Sequence, residues 1–280
     1  MSLTTSEQYC LDEVRRHDHD RYLTALFLPP PRRAAALALY AFNLEIARTR
    51  EIVSEPLLGQ IRLQWWRETI EGLYAGNPRE HPVVDALGAA IRIHGLPRER
   101  LDGLIDAREA DLDDGPPPDF ETLEAYAVET SGELSALVMQ TLDRSGEVSI
   151  AAARQVGTAW AIIGLARAVG FHAQTQRLYI PEELLSEYEV ERRRLFDLKP
   201  SAGLNRAVET MAERAACLLA DARSSLPDIP KPARRGLLLA SLADRHIAAI
   251  RKVGFDPFAI PAAQAPPVLR LGWTACRGKY

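Results

Sequence analysis

Proline and glycine divide this 280-residue chain into long runs of helical period, and alternating strand-like patterns are almost absent. Proline cannot donate the amide that a helix interior needs, yet it suits a helix's first turn, so adjacent prolines can close one helix and open the next. Pro29-Pro30-Pro31 stands ahead of an Ala/Leu/Ile-rich run over 32–53. Pro56 opens a second helix, where Leu58, Ile61, Trp65 and Leu73 share one face, and Gly76-Asn77-Pro78 ends it. Gly95-Leu96-Pro97 separates expected helices at 82–94 and 97–112. After the stop at Gly115 and three prolines, helices are expected at 119–143, 147–170, 202–225, 231–253 and 264–275, with 171–200 the most irregular stretch. The expected fold class is all-α. With no internal repeat and no long linker, residues 1–280 read as one domain.

The run Val156–Ala166 is apolar but closed by Arg154 and Arg167. It is too short to span a bilayer and reads as a buried core helix. A net charge of −4 lacks the basic footprint of a nucleic-acid binder, so no nucleic-acid partner is expected. Cys10, Cys217 and Cys276 are distant, odd in number and without CxxC spacing. That argues against a disulfide framework or a structural zinc site and suits a reducing compartment. Met1 to Asp20 mixes acidic and basic residues and reads as neither a secretory signal nor a transit peptide, so the expected location is cytoplasmic.

GxSxG, HExxH, P-loop and GxGxxG motifs are all absent. His17-Asp18-His19-Asp20 could attract a divalent cation on paper but reads as a solvated helix end. Trp65-Trp66 reads as core. Asp102 and Asp106 stand four residues apart, and Glu109 and Asp113 repeat the spacing. On one helix such carboxylates would share a face. The first reading is a solvated acidic face, the second a partial metal site. Glu45 falls on a different helix face from Glu51.

Several stretches then follow in a telling order. They are Leu28-Pro29-Pro30-Pro31-Arg32-Arg33 running into Leu39-Tyr40-Ala41-Phe42, then His81-Pro82-Val83, Leu104-Ile105-Asp106 and Tyr126-Ala127. Gly157 through Arg167-Ala168-Val169-Gly170, Arg177-Leu178-Tyr179-Ile180-Pro181 and Leu184-Leu185 complete the set. Over roughly residues 15–255 the chain resembles the squalene/phytoene synthase family. The resemblance implies an isoprenoid-synthase-like helical bundle around a central cavity, where two prenyl diphosphates are joined head to head. It also implies Mg²⁺ held by aspartates on two facing helices. Carboxylates one turn apart supply hard oxygen ligands, and the metal stabilises the departing diphosphate. In this chain the family's acidic positions fall on Ala47, Arg48, Glu51, Ala168 and His172, with Phe171 at another. Only Glu51 keeps a carboxylate, and a neutral histidine is a poor Mg²⁺ ligand.

Arg21-Tyr22-Leu23, Ala41-Phe42-Asn43-Leu44-Glu45, Ile52-Val53-Ser54-Glu55, Gln64-Trp65-Trp66-Arg67, Ile105-Asp106-Ala107-Arg108-Glu109 and the end from Trp273 to Tyr280 resemble one branch of that family. The branch contains a mitochondrial assembly factor for respiratory complex I. It implies a pseudoenzyme with a non-catalytic, membrane-peripheral role in building the respiratory NADH dehydrogenase. The lack of a transit-peptide pattern and the Ala/Arg-rich composition suggest a bacterial relative working at the cytoplasmic face of the inner membrane. The implied partners are a respiratory-complex subunit or assembly protein and a lipid-like or prenyl ligand in the cavity, with no cofactor. Arg33, Arg48, Arg177 and Tyr179 are the expected phosphate-binding residues, because a guanidinium pairs with phosphate without any metal. No catalytic residue is expected among the altered motif positions. The alternative is an active prenyl-diphosphate transferase with a rearranged Mg²⁺ site drawing on Glu51, Asp102 and Asp106. Either way, Glu51 and His172 should meet across one cavity.

Overall fold

The computed structural model describes residues 3–53, 55–143, 146–260 and 268–278, and among them no strand occurs. The helices in the first half are α1 (Thr5–His17), α2 (His19–Ala25), α3 (Pro30–Ala47), α4 (Thr49–Ile52), α5 (Pro56–Ala75), α6 (Pro82–His94), α7 (Arg98–Asp106) and α8 (Phe120–Ala127). Those that follow are α9 (Glu133–Leu142), α10 (Glu147–Arg167), α11 (Val169–Gln174), α12 (Glu182–Glu187), α13 (Arg192–Phe196), α14 (Ala202–Ser224), α15 (Leu239–Lys252) and α16 (Val268–Arg277). Punctuation acts as the sequence suggests. Prolines stand in the first turn of α3, α5 and α6, and Gly76 and Gly95 close α5 and α6 in the left-handed conformation that a Cβ disfavours. Thr4, Asp119 and Ser201 cap the starts of α1, α8 and α14 with side-chain oxygens.

Several expected helices are broken at points the sequence reading does not mark. The run over 32–53 breaks at Arg48 (φ −85°, ψ 4°), and the run over 147–170 breaks at Ala168 (φ −87°, ψ 4°). The helix expected at 97–112 ends as α7 and tightens into a 3₁₀ turn over Ala107–Leu112. The one expected at 119–143 carries a π turn, Val128–Gly132, between α8 and α9. The irregular stretch 171–200 holds α12 and α13. Of the expected 264–275 helix, the part before Val268 lies outside the described residues.

Two hydrophobic clusters organise the bundle. One gathers α10, α14 and α15; the other gathers α1, α3, α5, α6 and α7. α9 stands between them, giving Met139 to the first and Leu134, Leu137 and Val138 to the second. α10 is long and apolar enough, by length and composition, to cross a membrane, and here half of that stretch is buried at the centre of the fold. Trp66 is fully buried, edge-on to Phe42 at 5.4 Å, while half-buried Trp65 carries the Arg79 guanidinium at 5.1 Å. The solvated end expected at 17–20 is instead tied inward. Asp18 caps α2 and pairs with Arg21 at 2.8 Å, and Asp20 meets His246 at 3.3 Å.

α10 packs against the π turn at Gly157, where a Cβ would stand 2.2 Å from the Ser131 carbonyl oxygen. Gly164, two turns on, has nothing within 4 Å of that position. Gly157→Val should therefore lower unfolding free energy by about 2–3 kcal/mol through overpacking. Gly164→Ala should be neutral or stabilising by up to about 1 kcal/mol. Denaturant unfolding of the two variants checks both, and a tolerated Gly157→Val would contradict the packing described.

Candidate functional site

The two helix breaks frame one cavity of about 310 Å³. Ala47, Arg50 and Glu51 line it from the α3–α4 side, and Leu165, Phe171 and His172 from the α10–α11 side. Glu51 and His172 thus share a cavity, as the alignment of motifs requires. Gln176 takes a positive φ of 56° after α11, and the Arg177 amide closes the turn onto the His172 carbonyl at 3.0 Å. That reversal returns Arg177 and Tyr179 to the cavity wall.

The floor is a polar network centred on buried Asp111. Tyr126 and Tyr179 each donate a phenol hydrogen to Asp111 Oδ1, at 2.8 and 2.9 Å. Arg108 Nη1 donates to Asp111 Oδ2 at 3.2 Å and to the Tyr126 hydroxyl at 2.8 Å, and its Nη2 donates to Asn43 Oδ1 at 3.1 Å. Arg177 donates to the Asp111 and Asp113 carbonyl oxygens. A second cavity, of about 480 Å³, lies against the Gly115–Pro118 loop and shares Tyr126, Arg177 and Tyr179 as wall residues.

Burial, and then the Asp111 charge, pushes the Tyr179 phenol well up. Burial also raises Tyr126 well above an ordinary phenol, although Arg108 pulls the other way. Both therefore remain donors at neutral pH. Burial works against the Arg108 charge, but Tyr126 and Asp111 outweigh it, so its pKa is raised and the guanidinium stays charged. His172 is desolvated and faces Arg177, which together lower its pKa to about 4 and leave the ring neutral. Arg108 Nε and His172 Nδ1 are buried without a hydrogen-bond partner.

Of the residues singled out in the sequence, Ala47, Glu51, His172, Arg177 and Tyr179 line this cavity. Arg33 does not: it donates to the Leu26 and Leu28 carbonyls at 2.9 and 3.1 Å, tying down the loop after α2. Arg48 lines a separate cleft with Glu13 and Glu45, and its Nε lies 3.6 Å from Glu51 Oε2. Ala168 sits at the α10–α11 break and is not among the lining residues. Asp102 pairs with Arg98 at 3.0 Å, while Asp106 and Glu109 both clamp Arg67, all outside the cavity. Asn43, Arg108, Asp111 and Tyr126 build the floor yet were not expected as site residues. Three of them lie in the stretches that carry the family resemblance. Asp111 carries no such signal, because the 3₁₀ turn that aims it inward is silent in the sequence.

The Mg²⁺ implied by the resemblance needs several carboxylates with free lone pairs. Glu51 and Asp111 are the carboxylates among the described lining residues. Asp111 accepts from three donors, and Arg48 lies beside Glu51. Among the described residues no three His, Cys, Asp or Glu side chains are grouped to hold one ion. The donor set does not fit a magnesium cluster.

His172 also fixes a pH dependence. Its pKa is about 4 when folded and 6.5 when unfolded, so the unfolded chain binds the extra proton between these values. Stability should fall as pH drops from 6.5 through about 4, by at most about 3 kcal/mol from this residue. His246, also lowered chiefly by burial, contributes in the same sense. Thermal melts should show His172→Gln losing less stability than wild type between pH 7 and about 4.5; identical losses would contradict the burial of this ring.

Residues 14–273 match the squalene/phytoene synthase family profile. The NADH dehydrogenase (ubiquinone) complex I, assembly factor 6, of Bos taurus is 32% identical over 90% of this chain and 76% of its own length. A phytoene synthase of Rhodobacter capsulatus is 25% identical over 89% of this chain and 74% of its own. The crystal structure of a dehydrosqualene synthase superposes with a TM-score of 0.86 at 19% identity, covering 97% of this chain and 95% of that one. That likeness carries the all-α fold, and the extent of the match carries membership: this chain belongs to the squalene/phytoene synthase family.

Proposed function

We propose that this protein is a non-catalytic member of its family that serves the assembly of a respiratory NADH dehydrogenase at the membrane face. The observation that carries the reading is the fate of the cavity carboxylates. The family's acidic positions hold Ala47, Arg48, Ala168 and His172, and Asp111 is committed to Arg108, Tyr126 and Tyr179. A departing diphosphate concentrates negative charge in a partly apolar cavity, and charge without a partner there is costly. Arg50 and Arg177 offset part of it but do not reproduce a multi-metal clamp.

The name of the Bos taurus relative, matched over most of both chains, supports the assembly role. The cavity then serves as a binding site. Its guanidinium-bearing wall suits an anionic head group, and its neighbour at the proline loop suits an apolar tail. On this reading the partner is a subunit or another assembly protein of the respiratory complex.

Two measurements test the proposal. Purified protein given farnesyl or geranylgeranyl diphosphate with Mg²⁺ should yield no hydrocarbon above a no-enzyme control. Removing the gene from its host should lower the amount of assembled NADH dehydrogenase on native gels, and the wild-type chain should restore it. Robust product from wild type, lost in Glu51→Gln, would replace this reading with an active transferase. Unchanged dehydrogenase levels would end the assembly role.

A further inference from the structure

α16 has two apolar faces, and the rest of the chain covers one of them. Leu271 is fully buried, Thr274 is buried beside it, and Ala275 packs against the cluster around α10 and α15. On the other side Leu269 is 92% exposed, Trp273 61% and Val268 47%. At helical spacing these three fall on one outward arc with Cys276, and Arg270 and Arg277 run along its edge. A surface helix needs one apolar stripe to hold it to its own protein, and the second one has no partner among the described residues.

The charges on α16 and on the segment that meets its end have one sign. From Pro257 to Tyr280 there is no Asp or Glu, and none from Ile229 to Ala243, in a chain whose net charge is −4. The two acid-free segments meet, because Arg234 Nη1 donates to the Gly278 carbonyl at 3.5 Å. Lys231 and Arg235 are exposed in the same segment. The Arg277 guanidinium lies 4.0 Å over the Trp273 ring, holding cation and apolar ring together.

We propose that α16 lies flat on an anionic phospholipid surface. Leu269 and Trp273 enter the boundary between head groups and acyl chains, and Arg270, Arg277, Lys231 and Arg235 meet lipid phosphates. Interfacial helices combine these features: an apolar face bearing tryptophan, arginine and lysine beside it, and low overall hydrophobicity. A second copy of the chain fits worse. Like charges would oppose each other across the contact, and a ten-residue helix offers far less than the roughly 800 Å² per partner of a stable dimer. The inference deepens the placement at the membrane face and rests on that reading for the source of the lipid. Vesicle binding and dehydrogenase assembly are measured separately, so either can fail alone.

The experiment is co-sedimentation of the full chain with vesicles of phosphatidylcholine alone or mixed with phosphatidylglycerol. Binding to the mixed vesicles should be at least about tenfold stronger than to neutral ones and should weaken with salt. Leu269→Gln with Trp273→Gln should reduce it at least about tenfold while leaving the melting temperature unchanged, since both side chains are exposed. Arg270→Gln with Arg277→Gln should erase most of the preference for the anionic lipid. No binding by wild type, equal binding by the Leu269/Trp273 variant, or a dimer that the same variant dissociates would each overturn the proposal.

Discussion

The Asp111 carboxylate is the interaction on which the centre of this molecule depends. It accepts from Arg108 on its own 3₁₀ turn, from Tyr126 at the end of α8 and from Tyr179 after α11, while its carbonyl accepts from Arg177. Through Arg108 the network also reaches Asn43 on α3. One residue thus links the walls of the cavity from both hydrophobic clusters. A buried charge is tolerated only when paired and hydrogen-bonded, and removing one partner of such a pair costs about 3–5 kcal/mol.

The same commitment limits the chemistry. A carboxylate that holds two phenols and a guanidinium has few lone pairs left for a metal. Mg²⁺ demands near-octahedral oxygen ligation and gives up water reluctantly. The helix breaks at Arg48 and Ala168, which have nearly the same backbone angles, still frame a cavity. On the function proposed above, the frame persists while the carboxylates that would line it do not. A neutral His172 and protonated tyrosines leave arginine as the dominant charge of the wall.

The all-α class and most helix starts and stops were legible in the sequence, because proline, glycine and helical period act locally; the meeting of Glu51 with His172 followed only from the family resemblance. The breaks at Arg48 and Ala168 were not legible, since neither residue disfavours a helix. The 3₁₀ turn over Ala107–Leu112 had the largest consequence. Regular helical spacing from Asp102 to Asp113 suggested one acidic face, but the turn rotates Asp111 inward and leaves Asp106 and Glu109 outside on Arg67. Arg33 shows the opposite failure. Its place in a family stretch suggested phosphate, yet it stands outside the cavity, tied to two loop carbonyls. An arginine's motif position says little about which cavity its guanidinium reaches.

The central claim is that the Asp111 network has taken the place of a metal-held diphosphate site. Calorimetric titration of inorganic pyrophosphate into the protein, with and without Mg²⁺, tests it most directly. The account predicts weak binding that Mg²⁺ does not strengthen and that Arg177→Gln reduces. Pyrophosphate binding that is tight only with Mg²⁺, and that is lost in Glu51→Gln or Asp111→Asn, would contradict it.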